Sequence, residues 1–99
     1  MGPLSFVHVV TFKWREDDFD DNDVAASLKY LVQQLDGVQT YICGSDIGLT
    51  PSSYDFAVVG VFNNRDDFTA YRDHPEHQRI LNEMIIPNLD RRTVVQLED

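Results

Sequence analysis

Apolar and polar positions alternate from Ser5 to Trp14, putting Phe6, His8, Val10, Phe12 and Trp14 on one face of an extended chain and Val7, Val9, Thr11 and Lys13 on the other. Apolar residues on both faces mark a strand covered twice, hence central. Tyr54 to Phe62 repeats the pattern, with Tyr54, Phe56, Val58, Gly60 and Phe62 opposed to Asp55, Ala57, Val59 and Val61. Between them the period changes. Val24, Leu28, Leu31, Val32 and Leu35 form a helical stripe over about 23–35, with Asn22 or Asp23 as N-cap and Gly37 placed for a left-handed ending. A further strand is expected over roughly Val38 to Leu49, made irregular by Gly44 and Gly48, and Pro51, Ser52 and Ser53 supply a turn. Asn63 or Asn64 caps a second helical region ending near Pro87, with Asp66 and Asp67 in its first turn. Arg92 to Leu97 closes the chain as a last strand.

The order strand, helix, strand, strand, helix, strand predicts an α+β, ferredoxin-like βαββαβ fold: a four-stranded antiparallel sheet with two helices on one face. Right-handed crossovers place the first and third strands side by side at its centre. The opposite sheet face is left bare and apolar, beyond the roughly 300–600 Å² patch usual on a monomer. A homodimer pairing two sheets face to face, a dimeric α/β barrel, is the simplest cover.

Length and composition narrow the classes. Ninety-nine residues, 42% hydrophobic and 25% charged, suit one globular domain over 1–99. No apolar run approaches the roughly 20 residues of a membrane span. Neither a signal-peptide pattern nor a myristoylation motif is present, Phe6 standing where the latter needs Ser or Thr, so a cytoplasmic protein is expected. Cys43 is alone, so no intrachain disulfide can form. A net charge of −9 with eight Lys and Arg argues against nucleic acid and against anionic membranes as partners. The acidic run Glu16 to Asp23 is no calcium loop, because Leu28 and Lys29 fall where the closing Glu is required.

The chemistry concentrates in Tyr71, Arg72, Asp73, His74, Pro75, Glu76 and His77. Proline drives the residue before it out of helical geometry, so His74 sits in a break and Pro75 opens a new helix. His77 then heads the stripe Ile80, Leu81, Met84 and Ile85, while Phe68 and Tyr71 share a face upstream. A phenol and an imidazole thus point inward from either side of a kink. The same pattern would also suit a core tyrosine with its hydroxyl at the edge and a hydrogen-bonded buried histidine. His8, an imidazole among aromatics, reads either way too.

His8, Val9, Val10, Thr11, Phe12 and Lys13, together with Tyr71, His74, Pro75 and His77, resemble the Dabb family of stress-responsive dimeric α/β-barrel proteins, from about Phe6 to Leu97. The resemblance implies a ferredoxin-like protomer paired through its sheets, with a pocket between helices and sheet. A relative, plant olivetolic acid cyclase, closes a linear polyketide by aldol condensation without a redox cofactor. Its acid/base tyrosine and histidine correspond to Tyr71 and His77, and a cavity-lining histidine to His8. Leu28 and Phe56 stand where that enzyme has a pocket tyrosine and histidine. Relatives can also hold a cation on backbone carbonyls, here those of Val32, Leu35 and Val38.

These readings give a cofactor-independent lyase or cyclase acting on a small carbonyl or polyketide-like compound. His77 would be the base and Tyr71 the oxyanion partner, His8 and His74 would contact substrate, and Phe6, Phe12, Phe56 and Phe68 would wall the cavity. No cofactor and no metal is expected. The competing readings are a noncatalytic stress-responsive dimer binding a small hydrophobic ligand, a barrel monooxygenase, and a metal site at His8, His74 and His77. A solvent-open pocket with both rings on its wall would favour the enzyme; a filled interior would favour the noncatalytic dimer.

Overall fold

A computed structural model describes residues 4–99. The elements follow the expected order: β1 (Phe6–Trp14), α1 (Asn22–Gln33), β2 (Val38–Ser45), β3 (Phe56–Phe62), α2 (Arg65–Asp73), α3 (Pro75–Ile80) and β4 (Leu89–Glu98). A π-helical turn over Leu81–Ile85 and a 3-10 turn over Ile86–Asn88 join α3 to β4. The sheet order is β2-β3-β1-β4, all antiparallel, so the two strands that are apolar on both faces hold the centre.

The helices cover one face. Phe12, Trp14, Phe56, Val58 and Phe62 from the sheet meet Val24, Leu28 and Leu31 of α1 and Phe68, Tyr71, Ile80 and Ile85 from the second helical region. α1 ends at Gln33 with Gln34 as its C-cap, so Gly37 is not the helix ending but the last turn residue before β2, where it takes φ +84 and a side chain would run into Asp67. The other face is bare: Ile42, Val95 and Leu97 are 63%, 56% and 44% exposed beside Val7, Val9, Val59 and Val61.

Four boundaries depart from the sequence expectation. β2 stops at Ser45, because Asp46 closes on Asp55 by a backbone bond and its carboxylate accepts from the Gly48 N–H; Ile47 and Leu49 are exposed loop residues. β3 starts at Phe56, since Asp55 turns inward to accept from the Trp14 N–H at 2.8 Å and from Lys13 Nζ at 3.2 Å. β4 begins at Leu89, paired with Trp14 beyond a bulge. The N-cap of α1 is Asp21, not Asn22 or Asp23, and its carboxylate does not cap. It accepts instead from the Trp14 indole N–H at 2.9 Å and from the Ser45 hydroxyl, tying β1, α1 and β2 together. Asn64 caps α2 as expected, accepting from the Asp67 N–H at 2.8 Å.

Candidate functional site

The kink at Pro75 determines the state of the site. In an unbroken helix the Glu76 N–H would bond to the Arg72 carbonyl, four residues back. His74 instead turns extended (φ −59, ψ 134) and its Nδ1 accepts from the Glu76 N–H at 3.0 Å, so a histidine serves as N-cap of α3. The Arg72 carbonyl, freed from the helix, accepts from His77 Nδ1 at 3.0 Å and from Gln78 Nε2 at 2.7 Å. A carbonyl can only accept. His77 therefore carries its proton on Nδ1, which leaves the Nε2 lone pair free.

His77 and Tyr71 lie ring against ring, centroids 4.4 Å apart and planes inclined by 50°. The Tyr71 hydroxyl is bonded to that of Tyr41 at 2.7 Å. Burial raises the pKa of both phenols, Tyr71 to about 12 and Tyr41 further. Either hydroxyl can donate in this bond, and both phenols keep their protons at neutral pH. Gly60 makes room for this pair. It lies opposite both His8 and Tyr41 in the sheet, and a Cβ there would sit 2.9 Å from the Phe62 ring and 3.3 Å from Tyr41.

His8 approaches from β1, its ring 4.8 Å from Phe68 and 6.4 Å from Tyr71 by centroid. Gln96 of β4 donates its amide N–H to His8 Nδ1 at 3.1 Å, so the neutral ring carries its proton on Nε2. Burial first, and then the neighbouring His77, lowers the His8 pKa from 6.5 to about 4. Burial likewise depresses His77, against the opposing pull of its bond to the Arg72 carbonyl. Both imidazoles are neutral at pH 7, one presenting an acceptor and the other a donor.

These groups share a cleft of about 300 Å³ between helices and sheet. Its walls are Val10, Phe12, Leu28, Val58, Phe68, Leu81 and Ile85, and the exposed Arg72, Arg92, Val94 and Gln96 edge its mouth. His8, Tyr71, His77, Phe12 and Phe68 all line it, as expected. Three expected lining residues do not. Phe6 lies behind Phe68, stacked on it at 4.6 Å. Phe56 is in the core against Phe12 and Trp14. His74 faces the surface beside Glu76 and Arg79, held there as a helix cap, so it joins neither the cleft nor a metal site with His8 and His77.

Tyr41, Arg92 and Gln96 went unread in the sequence. Antiparallel pairing of β1 with β3 and β4 is the signal that reaches them, since it puts Arg92, Val94 and Gln96 on the His8 side of the sheet. No group of three or more His, Cys, Asp or Glu among the described residues converges on a metal position. In the carbonyl set after α1, the Val32 oxygen accepts from the Leu35 N–H at 3.2 Å. Among the described residues no helix is long and apolar enough to cross a membrane.

A ferredoxin-like α+β domain with an apolar-walled cleft, carrying His8, Tyr71 and His77, between its helices and one face of its sheet is thereby defined. The chain belongs to the stress responsive A/B barrel domain family, Dabb, whose model matches residues 6–99. It is 34% identical over 82 residues to the stress-response A/B barrel domain-containing protein DABB1 of Arabidopsis thaliana, covering 77% of this chain and 39% of that protein. The chain thus spans about two fifths of that relative's length. Among solved structures, a dimeric ferredoxin-like protein of unknown function from Thermobifida fusca is 33% identical with TM-score 0.87, covering 100% of this chain and 94% of the other. The hydroxynitrile lyase from Passiflora edulis shares the fold at 15% identity, TM-score 0.79, covering 99% and 95%.

Proposed function

We propose that the cleft catalyses proton abstraction beside a carbonyl group, as a cofactor-independent lyase or cyclase. The observation that carries this reading is the proton arrangement: His77, its Nδ1 proton held by the Arg72 carbonyl and its Nε2 lone pair free, packs ring against ring on Tyr71, a phenol that can donate. His77 removes the proton from the carbon beside the carbonyl, and the electron pair moves onto the carbonyl oxygen. Tyr71, with His8 Nε2–H as second donor, stabilises that oxyanion. The enolate carbon then attacks a second carbonyl of the same molecule, and the new alkoxide takes the proton held by His77. Run in reverse, the same steps cleave a carbon–carbon bond. The cleft's opening to solvent, with both rings on its wall, favours this over a filled structural interior. That the Passiflora protein sharing this fold is a lyase adds fold-level support.

The working unit is a homodimer closed over the bare sheet face. Its support is the exposed Ile42, Val95 and Leu97 and the dimeric state of the Thermobifida relative. The test of the catalytic reading is turnover of linear β-keto and β,δ-diketo acids, followed by mass spectrometry. At least one should be consumed, with Tyr71→Phe and His77→Ala each slowing it about 10²-fold. Consumption unaltered by either substitution contradicts the reading, and binding without consumption makes the protein a noncatalytic carrier of a small ligand.

A further inference from the structure

We infer that the cleft selects a monoanionic carboxylate, with Arg92 as the residue that recognises it. This deepens the reading above and rests on the cleft being a substrate site. Two guanidinium groups edge the mouth, and they are not equivalent. Arg72 is already engaged by Asp73, at 2.9 and 3.2 Å. Arg92 has no carboxylate within ion-pair distance among the described residues, while its neighbour Arg91 pairs with Asp90 and Arg65 with Glu98. In a chain of net charge −9, with seventeen acidic side chains, an arginine at a cavity mouth that pairs with none of them is free to meet an anion.

The register fixes where that anion would sit. Arg92 lies opposite Phe12, and Gln96 opposite His8, so both rise on the cleft side of the sheet with Val94 between them. A ligand whose carboxylate meets the Arg92 fork sets its apolar body against Phe12, Val10 and Val94 and extends its far end toward His77 and Tyr71. The cavity, about 300 Å³, stands at the small end of ligand pockets, which suits an aryl or short-chain acid. The same −9 charge disfavours polyanions: one free guanidinium matches one negative charge, and each added charge meets the repulsion of the whole chain.

The test is binding by calorimetry, independent of turnover, with phenylacetate and 3-oxo-3-phenylpropanoate, their amides, and phenyl phosphate. The acids should bind at least tenfold tighter than their amides and than phenyl phosphate. Arg92→Gln should remove the preference for acid over amide while amide affinity stays unchanged. Equal affinity of acid and amide, tighter binding of the phosphate, no binding of either acid, or an acid preference that survives Arg92→Gln would each overturn the assignment. Arg72→Gln serves as the matched control and should keep the preference. Acid selectivity without any turnover would leave the Arg92 assignment standing and count only against the Tyr71 and His77 chemistry.

Discussion

At the residue scale, the proposed chemistry depends on protons already placed before a ligand arrives. The Arg72 carbonyl holds the His77 proton on Nδ1, and Gln96 holds the His8 proton on Nε2. Because burial depresses the His77 pKa below 6.5, the proposed base stays neutral as the pH begins to fall through the range where a free histidine would protonate. Turnover should therefore persist below pH 6.5 and fall only in more acid solution; a pH–rate profile with its acid limb above 6.5 would contradict this. Stability moves the other way from a paired histidine. His8 has a folded pKa of about 4 against 6.5 unfolded, so between those values the unfolded chain binds the extra proton. The His8 contribution is intact above pH 6.5 and is lost as the pH falls toward 4. Chemical denaturation across that window should show a steeper loss for the native chain than for His8→Gln.

The deciding device among the elements is the break between α2 and α3. Restoring the helix with Pro75→Ala would let the Glu76 N–H reclaim the Arg72 carbonyl from His77. The expected result is a changed His77 tautomer by nitrogen NMR and a loss of turnover of tenfold or more, with the fold intact. His74→Ala separates the cap from the chemistry: it should cost about 1 kcal/mol of stability and leave turnover standing. The break was legible in the sequence, because proline's effect on its predecessor is local. That His74 would be spent on capping was not, since a histidine before proline reads equally as a ligand. The same limit explains Asp21. An acidic residue before a helix reads as a cap, yet the buried indole N–H of Trp14, reached only when β1 folds against the start of α1, has no local signature and takes the carboxylate instead.

For the whole molecule, the order of elements and the two doubly apolar strands made the architecture readable, because topology follows from periodicity and crossover handedness. The cleft was readable only in part. Tyr71, His77, His8, Phe12 and Phe68 lie on stripes visible along the chain, whereas strand register, a property of pairs, brings Arg92 and Gln96 to the cleft and Tyr41 behind it onto Tyr71. The bare sheet face carries its own prediction. Val95→Glu, at a position 56% exposed opposite Val9, should convert a particle of twice 11.4 kDa to one of 11.4 kDa in sedimentation equilibrium. A native chain already monomeric at micromolar concentration would rule out pairing through that face. The central claim is that α2 and α3 bring a donor phenol and a base imidazole to one substrate carbonyl and the carbon beside it. Its most direct measurement is deuterium uptake from heavy water into the carbon between the two carbonyls of a β-keto ester whose other exchangeable protons are blocked. The native protein should accelerate that exchange, with Tyr71→Phe and His77→Ala each lowering the enzymatic rate about 10²-fold; exchange at the buffer rate, or exchange indifferent to both substitutions, would contradict it.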